Sequence, residues 1–273
     1  MARVTGNLSN RNTVVKKLRQ INFDLPVPLA ENQEVEIALY PNGETVEWEI
    51  RTIMADHRKK IATQGQFSFG AETDFVPTEV LSLKEIKRRC GQRETESQFY
   101  QLIETNGLKY GSGLRAVQEI FFNQDEALAR LKLPENLKGG VNQYILHPAF
   151  MEGMIQSITR LMVMSDEAPK VYLPFSVEEI EIYRNLTEKS YFYIFRSRET
   201  GYTERRFNGI LVGEDGRPII KIQNLVVNEL KKPIINQPDP RMDVDVKQLL
   251  QQLERGELEI DMVNDMLTEK LLG

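Results

Sequence analysis

One apolar helix in the middle of the chain, with strand-like segments on both sides, most constrains how this sequence can fold. The helical spacing of apolar residues extends from about His147 to Met164, and such a pattern predicts a helix that is largely buried. The apolar positions are Met151, Met154, Ile155, Ile158, Leu161 and Met162. A buried helix needs a covering layer, so the neighbouring segments are expected to wrap around it.

Two polar residues interrupt this apolar pattern. Glu152 and Gln156 are four residues apart and therefore lie on neighbouring turns of one helix face. A buried carboxylate is costly unless it is hydrogen-bonded. In one interpretation Glu152 is a structural residue that bonds Gln156 and nearby backbone; in the other it faces a cavity, where desolvation makes it a usable acid at neutral pH. The spacing alone favours the structural interpretation.

Alternating apolar and polar residues predict antiparallel strands before and after the helix. Residues 35–40 and 45–50 alternate around a Pro-Asn-Gly-Glu turn and predict a hairpin. Its face carrying Val46, Trp48 and Ile50 is expected to meet the core. Residues 14–21 are interpreted as a transition into the first strand, and the other predicted strands are residues 60–69, 114–123, 127–133, 170–173, 176–183, 190–199, 203–212 and 218–230. An antiparallel sheet wrapped on one helix is the predicted α+β architecture.

Changes in pattern divide the chain into five predicted parts. A polar tail is followed by a β-rich domain, a charged connecting segment, a second α+β domain, and a linker with two amphipathic helices. The boundaries are residues 1–13, 14–76, 77–94, 95–232 and 233–273, with short helices predicted at 80–89 and 95–106. Two interpretations of the C-terminal helices are open: they dock onto another protein, or they fold back on their own domain.

Composition excludes several classes of function. The 273-residue chain is 41% hydrophobic and carries a formal net charge of −5 without a basic stripe, which argues against a nucleic-acid partner. No apolar run is long enough for a membrane span, so a cytoplasmic protein is predicted. A single cysteine, Cys90, and two distant histidines, His57 and His147, give no disulfide framework and no metal-site spacing. No glycine-rich loop opens a helix, so no nicotinamide or flavin cofactor is indicated.

Several segments, taken together and in order, resemble the dehydratase domain of modular polyketide synthases, which has a double hot-dog fold. The resemblance covers roughly residues 18–230, and the order of the segments makes it more specific than any one of them. The segments are Ile21–Leu29, which resembles a strand leading to a Pro-Leu pair, Gly107–Arg115, which resembles G-x-x-Y-G-x-x-F-R, Leu146–Gln156, which resembles L-H-P-x-x-x-D-x-x-x-Q, and the shorter Leu173–Ser176 and Asp215-Gly216.

The resemblance implies a specific reaction and partner. In that family a histidine removes the α-proton of a β-hydroxyacyl thioester, and an aspartate protonates the departing hydroxyl, so that water is lost and an enoyl thioester remains. It places Glu152 at the proton-donor position, with Gln156 and Tyr110 also in the catalytic site. The substrate tunnel is expected to involve Gly111, Leu114, His147 and Pro148. The implied substrate is carried on the phosphopantetheine of an acyl carrier protein, with neighbouring synthase subunits as partners, a homodimer as one arrangement, and no other cofactor.

The sequence departs from the family pattern at both catalytic positions. Glu152 is longer than aspartate by one methylene, ~1.5 Å, which disturbs aligned proton transfer. No histidine precedes Phe23, and of the two present, His57 is expected to be a solvated turn residue and His147 to orient the start of the helix. The first hot-dog is also expected to lack its helix and opening strand, which leaves an uncovered face. That face carries Val35, Ile37, Val46, Trp48 and Ile50.

The predicted fold is therefore a double hot-dog with an incomplete first half and a C-terminal helical tail. The first functional hypothesis is a dehydratase-like domain that lacks its own base and is inactive or structural when alone. The second is an active dehydratase or enoyl isomerase that an upstream subunit completes in trans, with Glu152 as the acid. An unrelated binding module with a hot-dog fold is the third. The uncovered face is filled by an upstream polypeptide, or by the tail and second hot-dog, or belongs to a fragment of a longer chain.

Overall fold

A computed structural model describes residues 13–27, 34–53, 57–71, 77–137, 140–163, 170–197 and 205–230 of the chain. The predicted C-terminal linker and helices at 233–273 lie outside the described residues, as do residues 1–12 of the predicted polar tail. In the part that is described, no helix is long and apolar enough to cross a membrane.

The described residues form one eleven-stranded sheet in which the paired strands are antiparallel. Its order is β2-β3-β4-β1-β8-β11-β10-β9-β7-β6-β5, which confirms the antiparallel α+β prediction. The strands are β1 (Thr13–Phe23), β2 (Val35–Asn42), β3 (Thr45–Ile53), β4 (Lys59–Ala71), β5 (Gln92–Thr95), β6 (Val117–Phe122), β7 (Glu126–Lys132), β8 (Tyr172–Ile182), β9 (Lys189–Arg196), β10 (Arg205–Val212) and β11 (Pro218–Glu229).

Three α-helices occur in the described residues: α1 (Leu83–Cys90), α2 (Glu96–Thr105) and α3 (Pro148–Val163). The Thr95 side chain accepts a hydrogen bond from the backbone N–H of Gln98, whose own side chain bonds back, so a capping box begins α2. Gly107 follows α2 with φ 91°, a left-handed conformation that glycine adopts without steric cost. All three helices lie close to their predicted ranges, because helical periodicity and capping signals are local.

Helix α3 is the centre of the core, as the sequence predicted. It packs against β6, β7 and β9, and Phe150, Met154 and Leu161 are almost completely buried. Gly153 permits this close approach, because a Cβ there would lie 3.1 Å from the Cβ of Ala116.

Two predicted strand boundaries are wrong. Residues 170–173 and 176–183 were expected to be separate strands, but one continuous strand, β8 (Tyr172–Ile182), includes most of both ranges. Pro174 is tolerated because the pairing of β8 with β1 ends at Ser176, and the pairing of β8 with β11 has a register irregularity beside the proline, where Phe175 of β8 is the extra residue. Residues 14–21, expected to be a transition, are part of the full strand β1, which pairs with both β4 and β8.

The sheet contains two similar halves that meet where β1 pairs with β8. The order β9-β10-β11-β8 in one half matches β2-β3-β4-β1 in the other. The hairpin face of the second half reaches the core only in part: Val46 is buried, whereas Trp48 and Ile50 are half-buried. Val35 and Ile37 on β2 are 45% and 43% exposed, which agrees with the predicted uncovered face for these two residues, whereas the prediction was wrong for the buried Val46.

Candidate active site

His147 begins helix α3. Its Nδ1 accepts a hydrogen bond from the backbone N–H of Ala149 at 3.2 Å, and its carbonyl accepts from Phe150 and Met151, each at 3.0 Å. The imidazole is 3% exposed, and burial lowers the pKa of His147, which favours the neutral ring that this bond needs. His147 therefore orients the helix start, as the sequence predicted.

Glu152 and Tyr110 lie together, one on α3 and the other in the loop after α2. The Tyr110 hydroxyl lies close to the Glu152 side chain, and both residues are half-buried. Burial first, and the Glu152 charge second, raise the pKa of Tyr110 far above its ordinary value. Tyr110 therefore keeps its hydroxyl proton at physiological pH and is able to donate a hydrogen bond.

Gln156 is fixed by residues other than Glu152. Its Oε1 accepts a hydrogen bond from the Tyr100 hydroxyl at 3.0 Å, and its Nε2 donates to the carbonyl of Leu114 at 3.1 Å. The Tyr100 hydroxyl in turn accepts from the backbone N–H of Val117 at 3.1 Å. Gln156 is 1% exposed, so its amide ties α3 to α2 and to the loop that carries Tyr110.

Arg115 anchors the same loop from its other end. The guanidinium donates to the carbonyl of Tyr110 at 3.0 Å and to the Glu104 carboxylate at 2.8 Å. It also lies over the Tyr100 ring, 4.9 Å from the centroid. Sequence reasoning gave no role to Tyr100 or Arg115; Tyr100 had the appearance of an ordinary apolar position on an amphipathic helix.

A cavity of about 560 Å³ opens beside the N-terminal end of α3. Its lining includes three of the four predicted tunnel residues, Leu114, His147 and Pro148, and does not include Gly111. Glu152, Gln156 and Tyr110 are not part of the lining either. The cavity thus ends at Ala149, about one helical turn before Glu152 on α3. The role of all four residues in a substrate tunnel stays a prediction.

The polar face of α3 continues one turn beyond Gln156. Arg160 forms an ion pair with Glu94 of β5, with Nε and Oε1 3.0 Å apart, and its guanidinium lies 3.8 Å from the centroid of the Phe122 ring. Burial raises the pKa of Glu94, and the Arg160 charge opposes that rise. Gln156 and Arg160 thus each bond a partner on another element, and Glu152 lies close to Tyr110.

The remaining histidine lies elsewhere in the fold. His57 is exposed just before β4 and has φ 61°, which agrees with the predicted solvated turn residue. Among the described residues, no group of three or more His, Cys, Asp or Glu side chains is arranged to hold a metal ion.

Comparison with known proteins decides the family. A model described as the polyketide synthase dehydratase N-terminal domain matches residues 78–234, which is more than half of the 273-residue chain. The chain belongs to the polyketide synthase dehydratase family. The matched range includes Tyr110, Glu152 and Gln156, so the cluster described above lies inside the dehydratase match.

Individual relatives agree with this assignment. Polyketide synthase PksM of Bacillus subtilis (strain 168) is 26% identical over 238 residues, which is 84% of this chain but 6% of PksM. This dehydratase domain therefore spans a small part of that protein. A dehydratase domain of a trans-AT polyketide synthase from Brevibacillus brevis superposes with a TM-score of 0.76 at 24% identity, covering 85% of this chain and 83% of that one.

Two inactive mutants of the CurK dehydratase have the same fold. One has a histidine replaced by phenylalanine; its TM-score is 0.73 at 20% identity, over 83% of this chain and 79% of that chain. The other has an aspartate replaced by asparagine; its TM-score is 0.72 at 18% identity, over 84% and 81%. These likenesses show that the described residues have an α+β fold that matches dehydratase domain structures.

Proposed function

We propose that this domain acts on β-hydroxyacyl thioesters carried on the phosphopantetheine of an acyl carrier protein, and that by itself it does not dehydrate them. The proposal rests on one observation. The site contains the carboxyl group of Glu152, but neither histidine of the chain is placed to act as the catalytic base. Dehydration requires removal of the α-proton by a base and protonation of the departing hydroxyl by an acid, which releases water and leaves a carbon–carbon double bond.

The placement of the two histidines supports the lack of a base in the isolated chain. His147 uses Nδ1 to accept the Ala149 N–H and is 3% exposed, and His57 is exposed in the turn before β4. In the CurK dehydratase, loss of either a histidine or an aspartate gives an inactive mutant. A chain that contains the acid but has no suitably placed histidine is therefore expected to have no dehydratase activity when it is alone.

The contact between Tyr110 and Glu152 favours a second candidate, in which another polypeptide supplies the base and the completed site is a dehydratase or enoyl isomerase. When protonated Glu152 gives its proton to the departing hydroxyl, it becomes a carboxylate. A hydrogen bond from Tyr110 stabilises that carboxylate, and the raised pKa of Tyr110 keeps the donor protonated. Gln156, bound to Tyr100 and Leu114, positions α3 beside the loop and does not transfer a proton.

Intact-mass measurement of a β-hydroxyacyl carrier protein tests both candidates. We expect no loss of water with this chain alone, and loss of water when the neighbouring synthase subunit is added, if that subunit supplies the base. Dehydration by the isolated chain would refute the claim that the chain lacks its own catalytic base. No dehydration with the subunit would leave the structural role as the function.

Substitutions then assign the acid in the completed system. Glu152→Gln is expected to abolish turnover, because an amide cannot deliver the proton, with a loss of about 10²-fold or more. Glu152→Asp keeps the acid, and Tyr110→Phe removes only the hydroxyl that is proposed to stabilise the Glu152 carboxylate, so both variants are expected to retain measurable activity. Glu214→Gln, at an exposed turn position, is the matched control and should leave the rate unchanged. Full activity of Glu152→Gln would remove Glu152 from the mechanism.

A further inference from the structure

The two halves of the sheet repeat one connection pattern. In the second half, β9, β10 and β11 form a meander, and the preceding strand β8 pairs with β11. In the first half, β2, β3 and β4 form a meander, and the preceding strand β1 pairs with β4. By this correspondence β2 is the counterpart of β9.

The environments of these two counterpart strands differ. The outer edge of β9 is paired along its length with β7, from Glu126 opposite Phe195 to Lys132 opposite Lys189. Strand β6 lies beyond β7, and α3 follows β7 in the chain and packs against the same strands. In the described part of the chain, β2 is the end of the sheet and pairs with β3 alone.

The apolar face of the first half is correspondingly open. Val35 and Ile37 on β2 are 45% and 43% exposed, whereas Phe192 and Ile194 on β9 are each 1% exposed. Next to them, the buried Nε1 of Trp48 has no hydrogen-bond partner, which is a costly state for an indole N–H.

The edge of β2 also lacks the features that normally prevent strand pairing. Exposed edges are usually protected by inward-pointing charges, bulges or prolines. On β2 the inward positions are Val35, Ile37 and Leu39, and its charged residue Glu36 points to the other face, where it pairs with Arg51 at 2.9 Å. Pro41 is near the far end of the strand, so most of the edge can accept a partner.

We propose that the free edge of β2 is an interaction surface for a partner polypeptide segment that folds as a β-hairpin followed by a helix. The second hairpin strand pairs antiparallel with β2 as β7 pairs with β9, and the helix covers Val35, Ile37 and Trp48 as α3 covers its own half. The partner helix is therefore apolar on the face that meets this chain. The docking itself does not depend on catalysis; that the same segment carries the base rests on the proposed function.

Hydrogen exchange on the full chain tests this surface, with the purified neighbouring synthase subunit as the probe. The β2 amides that point away from β3 should exchange rapidly in the free chain and about tenfold or more slowly in the complex. Slow exchange of these amides in the free chain would overturn the proposal, because a second copy or the chain's own tail would then cover the edge. Absence of binding would also overturn it.

Two matched substitutions localise the contact. Ile37→Lys places an inward charge on the edge and should weaken binding by about tenfold or more, with little effect on the melting temperature because the side chain is exposed. Val14→Lys, at a position that is 40% exposed on β1, is the control and should bind normally. Equal binding by both variants would contradict the proposed edge.

These outcomes are separable from those of the dehydration assay. Protection of β2 without loss of water would support the docking surface and refute the base in trans. Loss of water in the presence of the partner, but without protection of β2, would support the base in trans and refute the docking surface.

Discussion

The two halves of the sheet have the same strand connections and very different burial. Ile194 on β9 is 1% exposed, and Ile37 on its counterpart β2 is 43% exposed. The difference follows from what lies beside and above each strand: β9 has β7 and α3, whereas β2 has neither in the described part of the chain. A meander alone thus does not bury its apolar face; the added hairpin and helix do.

Charge pairs show the same contrast. The Glu94–Arg160 pair under α3 has side-chain exposures of 18% and 12%, and Arg160 also contacts the Phe122 ring. The Glu36–Arg51 pair on the first half has exposures of 34% and 25%. Water screens the second pair more strongly, so it contributes less to stability. The half with α3 therefore holds both the better-buried charges and the candidate active site.

The largest expected effect comes from one substitution made in both halves. Ile194→Ala should lower the free energy of unfolding by about 3 kcal/mol, because it leaves a cavity in a closed core. Ile37→Ala should change it by less than about 0.5 kcal/mol, because the side chain is already exposed. Urea unfolding followed by circular dichroism measures both. Similar losses for the two variants would contradict the difference in burial between the halves.

Much of this architecture could be predicted from the sequence because its signals are local. Helical periodicity predicted α3, capping residues predicted the limits of α2, and alternation predicted the β2–β3 hairpin. The single strand β8 was missed because Pro174 is a strong local signal for a break. Its tolerance depends on where the pairing with β1 ends, which is a property of the assembled sheet.

The candidate site was predicted less completely than the fold. Glu152 and Tyr110 were placed together by the resemblance, not by spacing. A bond between Glu152 and Gln156 was one of two interpretations of their spacing, and the structure does not have it, because Gln156 bonds Tyr100, 56 residues away in the chain, and Leu114. Such long-range pairs depend on helix packing, and no local pattern in the sequence encodes them.

A smaller effect is expected at two glycines, one in each half. A Cβ at Gly209 would collide with the Phe192 ring, which is 1% exposed, so Gly209→Ala should cost about 2 kcal/mol of unfolding free energy. A Cβ at Gly65 would lie 2.9 Å from the Trp48 ring, which is half-buried and has more room to shift. Gly65→Ala should therefore cost less, about 1 kcal/mol. Thermal melting of the two variants compares them, and an equal or larger shift for Gly65→Ala would mean that the first half is as tightly packed as the second.

The smallest effect concerns pH and the start of α3, the helix that distinguishes the halves. Burial lowers the pKa of folded His147 below its ordinary 6.5, so as the pH falls below about 6.5 the unfolded chain binds a proton that the folded chain resists. Stability is then lost with falling pH, by at most about 1.4 kcal/mol per pH unit. His147→Asn keeps a side-chain acceptor for the Ala149 N–H without titrating. The unfolding free energy of the wild type relative to this variant should be constant above pH 7.5 and should fall between about pH 7 and 5. A difference that is constant over the whole range would show that His147 is not held neutral at the helix start.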